Sequence, residues 1–166
     1  LKVYADNSKC EDAINFVRVN GSLEYLNITN ALFDGIDADF SNLDIQTITV
    51  FGAGNDCSDF SYGNYKIESA DLNNCADKGI SVGENSKLES KKVSLLNTNI
   101  GIATKDSSVS IFKDVVMQQM STCITAYKKK KEFNGGNLII NNLKCDNYKT
   151  LELIDNYSKI VIKKLN

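Results

Sequence analysis

Aspartates dominate the residues able to do chemistry, and they recur at a fixed step. Asp12, Asp34 and Asp56 are followed at the same 22-residue spacing by Lys78, and Asn15, Asp37 and Asp59 by Ser81. If one step is one turn of a winding chain, Asp34, Asp37, Asp56 and Asp59 form a compact array, with Asp39 beside it and Lys78 one turn on. Like charges one strand spacing apart repel, so the array needs a proton, a cation or Lys78 to compensate it. Two chemistries suit it. Asp34, Asp37, Asp56 and Asp59 are oxygen ligands of the kind that holds Ca²⁺, and a carboxylate pair can run acid/base hydrolysis. In a lyase arrangement, bound Ca²⁺ would neutralise a uronate while Lys78 abstracts a proton. The same aspartates are equally suited to capping turns through nearby backbone N–H groups, and both readings stay open.

Histidine is absent, which removes imidazole bases, Ser-His pairs and histidine metal ligands. Lys78, Lys105 and the run Lys128 to Lys131 make a basic strip, with Tyr62, Tyr65, Tyr127 and Phe133 as stacking partners. Asp37, Asp39, Asp59, Lys105, Tyr127 and Lys128 are therefore the candidate contacts for a sugar polymer. The plainer account of the lysine run is a solvated loop. Residues 1–84 carry 5 basic and 14 acidic side chains, whereas 85–166 carry 14 and 7. That asymmetry lacks the uniformly basic footprint of a nucleic-acid binder. No apolar run approaches the roughly 20 residues of a membrane helix, so the expectation is a soluble chain without membrane insertion.

The elements that must position these residues follow from the same period. Small residues fall at Ala13, Gly35, Cys57, Gly79, Gly101 and Cys123, and five of the six following positions are isoleucine. A second register, Asn20, Asn42, Asn64, Ser86 and Ser108, reads as a stacked turn. A third, Leu23, Ile45, Ile67 and Ile111, is apolar and slips by one to Leu88. Apolar residues alternate over short runs such as Leu43-x-Ile45 and Ile160-x-Ile162, which is strand periodicity. No segment is long enough for a helical repeat. The expectation is an all-β, right-handed parallel β-helix of six or seven 22-residue coils, a rod about 35 Å long at the strand spacing.

The 166 residues suit a single domain, 1–166, with about six extra residues forming a projecting basic loop near 127–136. The five cysteines include no CxxC and read mostly as small buried hydrophobes, with room for one disulfide if the protein is exported. Neither end reads as a polar cap. The chain is thus expected to be a piece of a longer protein or a rod whose ends a partner covers.

Three phrases carry a resemblance: Phe33-Asp34-Gly35-Ile36-Asp37, Asn55-Asp56-Cys57, and Lys78-Gly79-Ile80-Ser81-Val82-Gly83. They resemble the polygalacturonase family of pectin-lyase-like β-helices, which reads N-T-D-G-[IF]-D, D-D-C and G-H-G-[IL]-S-[IV]-G at one-coil steps. The resemblance implies that Asp34 and Asp56 activate a water. The chain departs where that family has its acid (Asn55), its histidine (Lys78) and its substrate clamp (Ala103-Thr104-Lys105). The stretches 34–42, 54–61, 77–86 and 101–108 resemble the β-helix tails of bacterial surface proteins of the spore-coat-protein-H kinase type. That implies an extracellular or cell-envelope module.

The resulting expectation is a non-catalytic or weakly active module that binds polysaccharide or a surface protein. The alternatives are a hydrolase or Ca²⁺-dependent lyase acting on acidic polysaccharide, and a structural subunit that stacks end to end.

Overall fold

The computed structural model describes residues 1–166 and contains no helix. Its strands are β1 (Lys2–Asp6), β2 (Asp12–Val17), β3 (Asn20–Ala31), β4 (Asp34–Asp39), β5 (Asn42–Ala53), β6 (Ser58–Ser61), β7 (Asn64–Cys75), β8 (Lys78–Gly83), β9 (Lys87–Lys105), β10 (Val109–Tyr127), β11 (Asn137–Ile154) and β12 (Lys159–Leu165). Every pairing is parallel and joins residues one turn apart. The chain is therefore a parallel β-solenoid of about seven turns. Long strands stack as β1, β3, β5 and β7, and short ones as β2, β4, β6 and β8. In β9, β10 and β11 the two join into single continuous strands.

Inward side chains form one cluster of 35 buried residues along the axis. Ile36, Ile80, Ile102 and Ile124 fill one column of it and are fully buried. Each such isoleucine stabilises the fold by roughly 1.5–3 kcal/mol relative to an exposed one. Small residues at the start of each short strand have a steric cause. A Cβ at Gly101 would meet the Cys123 carbonyl oxygen and the Met117 sulfur, both at 2.5 Å.

The two sheets keep different registers. The short-strand sheet steps by 22 from β2 through β10, as Ser61 to Gly83, but β7 to β9 steps by 23, pairing Asn64 with Lys87 and Ile67 with Ser90. The extra residue lies in the turn at Glu84 and Asn85, both at positive φ, where the preceding turn has only Tyr62 so placed. Phe112 consequently takes the inward place expected of Ile111, which is exposed. Ser86 and Ser108 leave the Asn20–Asn42–Asn64 ladder for an adjacent one. There each serine oxygen accepts from the backbone N–H one coil below, Gly63 to Ser86 at 3.2 Å and Ser86 to Ser108 at 3.1 Å. The asparagines stack as expected, with Asn42 donating to Asn20 and Asn64 to Asn42 at 2.6 and 2.7 Å. A second amide ladder marks the opposite corner. Asn7, Asn30, Asn74, Asn97 and Asn147 all sit at positive φ, a conformation asparagine tolerates better than other side chains.

Four cysteines are paired, which corrects the expectation of mostly unpaired buried thiols. Cys57, just before β6, pairs with Cys75 at the end of β7, and Cys123 of β10 pairs in the same manner with Cys145 of β11, leaving Cys10 free and exposed. Winding brings residues 18 and 22 apart within 5.3 and 6.5 Å of each other at Cα, a proximity no local spacing motif announces.

The step from β10 to β11 widens to 28, as Val109 to Asn137. The loop this creates lies back on the solenoid instead of projecting. The fully buried Asp106 accepts the backbone N–H groups of Lys129 and Lys130 through one oxygen, at 2.7 and 2.8 Å, and Lys130 Nζ reaches Glu84 at 2.8 Å. Replacing Asp106 with Ala strands both donors and should cost about 1–3 kcal/mol. Amide exchange across 129–133 should accelerate in this variant well beyond that elsewhere; uniform exchange would show that Asp106 does not anchor the loop.

Candidate functional site

Stacking of the short strands builds a panel of side chains on the outer wall. One column runs Asn15, Asp37, Asp59 and Ser81, and the next runs Val17, Asp39, Ser61, Gly83, Lys105 and Tyr127. The corner beyond carries Arg18, Phe40, Tyr62 and Glu84. The column on the other side carries Asp12, Asp34, Asp56 and Lys78. The winding thus gathers the sequence-predicted site residues except Tyr65, which is buried, and Lys128, which leaves the panel to place its ammonium over the Tyr157 ring.

Within that panel the carboxylates divide by role. Asp34 Oδ1 accepts from the Asp56 backbone N–H and from Asn55 Nδ2, each at 2.8 Å. Asp56 Oδ1 accepts from the Lys78 backbone N–H at 2.9 Å and pairs with Lys78 Nζ at 3.3 Å. Each therefore caps the coil above it. No three acidic or thiol side chains gather as a metal ion requires, so the expected Ca²⁺ set Asp34, Asp37, Asp56 and Asp59 is not assembled here. Burial pushes Asp56 up to about 6 against the pull of Lys78. Burial opposes the charge on Lys78, but Asp77 and Asp56 outweigh it and hold the ammonium protonated, the wrong direction for a base.

Lys105 is 3% exposed and lies flat across Gly83 to reach Asp59 Oδ2 at 3.5 Å. A Cβ at position 83 would sit 2.6 Å from the Lys105 Cε, so glycine there opens the path. Burial disfavours the Lys105 charge, but Asp59 and Glu84 raise its pKa overall. Glu84 in turn takes Ser61 and Lys130 as partners. Lysines of the panel are thus consumed by internal pairs.

Asp37 and Asp39 have no cationic partner; the only contact to either side chain is the Asn15 amide, 3.4 Å from Asp37. Burial, then the charges of Asp39, Asp12 and Asp59, push Asp37 up to about 7, and burial with Asp59 raises Asp39. Two neighbouring atoms are also unsatisfied. The Oγ of the fully buried Ser81 and Oδ1 of Asp59 are enclosed without hydrogen-bond partners.

Beside these groups runs an apolar ridge. Phe40 stacks on Tyr62 with centroids 4.5 Å apart and planes 5° from parallel, Phe133 of the loop meets Tyr62 edge-on, and Arg18 sits over Phe40. The outer edges of Phe40 and Tyr62 remain open, 46% and 39% exposed. Tyr65, expected as a stacking partner, is instead buried and donates its hydroxyl to the carbonyls of Ala38 and Ser61 at 2.7 and 2.9 Å. Phe40, Ser81 and Glu84 went unassigned from sequence. Phe40 lies one step before Tyr62 and could have been found, whereas Glu84 is hidden by the extra residue of its turn.

No family model, curated protein or solved structure matches the chain.

Proposed function

We propose that this solenoid is a carbohydrate-binding module of an exported or cell-envelope bacterial protein. The observation that carries the reading is the column Asn15, Asp37, Asp59, Ser81 beside the Phe40–Tyr62 ridge. It offers the solvent-reachable polar groups of Asn15, Asp37 and Asp59 on three successive coils, about 4.8 Å apart, close to the rise of one hexose in an extended polymer. A glycan laid along the axis could hydrogen-bond that column and rest its C–H surface on the ridge. Two disulfides support an oxidising compartment. Kinship with pectin-lyase-like solenoids and with surface-protein tails of the spore-coat-protein-H kinase type belongs to the same reading, resting on the phrases quoted for it.

Affinity electrophoresis against a panel of polysaccharides tests the proposal. The Phe40→Ala, Tyr62→Ala variant should lose retention at least tenfold while keeping its circular dichroism. Equal retention of the variant, or no retention of the native chain, would overturn the reading.

A second reading, a carbohydrate-active hydrolase, is favoured by the placement of Asp37: partly buried and crowded by Asp39, Asp12 and Asp59, its carboxyl is pushed up to about 7, the range a general acid uses. New reducing ends that disappear with Asp37→Asn would establish it in place of simple binding.

A further inference from the structure

Given the carbohydrate reading, on which this step rests, charge bookkeeping on the panel selects the kind of sugar. Every lysine that reaches the wall is already matched: Lys78 by Asp56 and Asp77, Lys105 by Asp59, and Lys130 by Glu84. What remains without an ion pair is predominantly anionic, Asp37 and Asp39 in adjacent columns with Asp12 one coil below Asp34, against the single Arg18 at the corner over Phe40. A uronate polymer would meet these carboxylates along the column, with Arg18 over Phe40 the one cation of the panel that pairs with no acid, and like charges at the column's separation are mutually unfavourable.

A second observation, independent of the acidic cluster, points to an incoming donor. Ser81 is fully buried, stacks directly above Asp59, and its Oγ has no partner; Asp59 Oδ1 beside it lacks one too. Enclosed polar atoms are almost always satisfied, so an enclosed hydroxyl and carboxylate oxygen without partners at the top of an acidic column mark a place where one more donor, a group bearing N–H or O–H, would complete the hydrogen bonding of the carboxylate. An ammonium supplies both the charge and the donors.

We infer that the wall of Asp37, Asp39 and Asp59, topped by the enclosed Ser81, binds an amine-bearing sugar polymer, a hexosamine chain with free amino groups, laid along the solenoid axis against the Phe40–Tyr62 ridge. The elevated proton affinity of Asp37 fits this assignment, since a carboxylate crowded by others gains most from a cation placed beside it.

Titration calorimetry with four probes of matched length tests it: a glucosamine oligomer, its N-acetylated counterpart, an oligogalacturonate and an oligolysine. The glucosamine oligomer should bind at least tenfold more tightly than the other three. The Asp37→Asn, Asp39→Asn variant should erase that margin while retaining weak binding to the N-acetylated oligomer through the ridge. Equal or tighter binding of the N-acetylated oligomer or the uronate would overturn the charge assignment and leave the carbohydrate reading intact. Preference for oligolysine would overturn the sugar class. Binding of none of the four would overturn this assignment, whereas the polysaccharide panel judges the broader reading separately.

Discussion

Reduction of both disulfides is expected to lower the unfolding free energy by about 6 kcal/mol. Each bridge closes a loop of about twenty residues, and removing that constraint releases denatured-chain entropy equivalent to about 3 kcal/mol. Domains are typically stable by about 5–15 kcal/mol, so the reduced chain should be near its limit at body temperature. Position amplifies the effect. Cys57 and Cys123 are fully buried and sit in the column of small residues that lets successive coils approach, so each bridge joins that column to a long sheet. Urea unfolding of the native chain and of the Cys57→Ala, Cys75→Ala and Cys123→Ala, Cys145→Ala variants would measure each contribution. Midpoints unchanged by reductant would exclude a role in stability.

The second large effect is electrostatic. Asp37 ionises at about 7 in the folded chain and near the ordinary carboxylate value of 3.8 when unfolded. The native state therefore binds the extra proton between roughly pH 4 and 7, and stability falls as pH rises through that window. Complete ionisation costs about 2–4 kcal/mol. Asp56, held at about 6, acts in the same direction over a narrower window. Asp37→Asn should raise the melting temperature at pH 8 by roughly 5–10 °C and change it little at pH 4. A melting temperature that climbs from pH 5 to pH 8 in the native protein would contradict the assignment.

Much of the architecture was legible because a solenoid repeats its physics: identical residues recur wherever one coil packs on another. Ile36, Ile80, Ile102 and Ile124, and the asparagines at 20, 42 and 64, could be read directly from their spacing. Reading failed where one residue was added without visible punctuation. The turn at Glu84 and Asn85 moved Ile111 outward and carried Ser86 and Ser108 to another ladder, yet Ile102 stayed in phase because only the long sheet shifts. The candidate site was legible as a neighbourhood. Its internal accounts were not, since which lysine neutralises which aspartate depends on side-chain paths such as that of Lys105 over Gly83. Disulfide partners were equally hidden, because they are set by the cross-section of the coil.

The amide ladders have a direction. Asn42 donates to Asn20, Asn64 to Asn42, Asn30 to Asn7 and Asn97 to Asn74, while Asn55, Asn99 and Asn142 donate to Asp34, Asp77 and Asp114. Each gives its N–H toward the earlier coil; Asn15 alone runs the other way. Aligned carboxamide dipoles add, with their positive ends toward the first coils, as peptide dipoles do along a helix. The charges follow the same polarity: the first half of the chain is rich in Asp and Glu and the second half in Lys. The solenoid is thus an electrically polarised rod whose ionised side chains complement its aligned amides, so its two ends present different electric fields to whatever approaches along the axis.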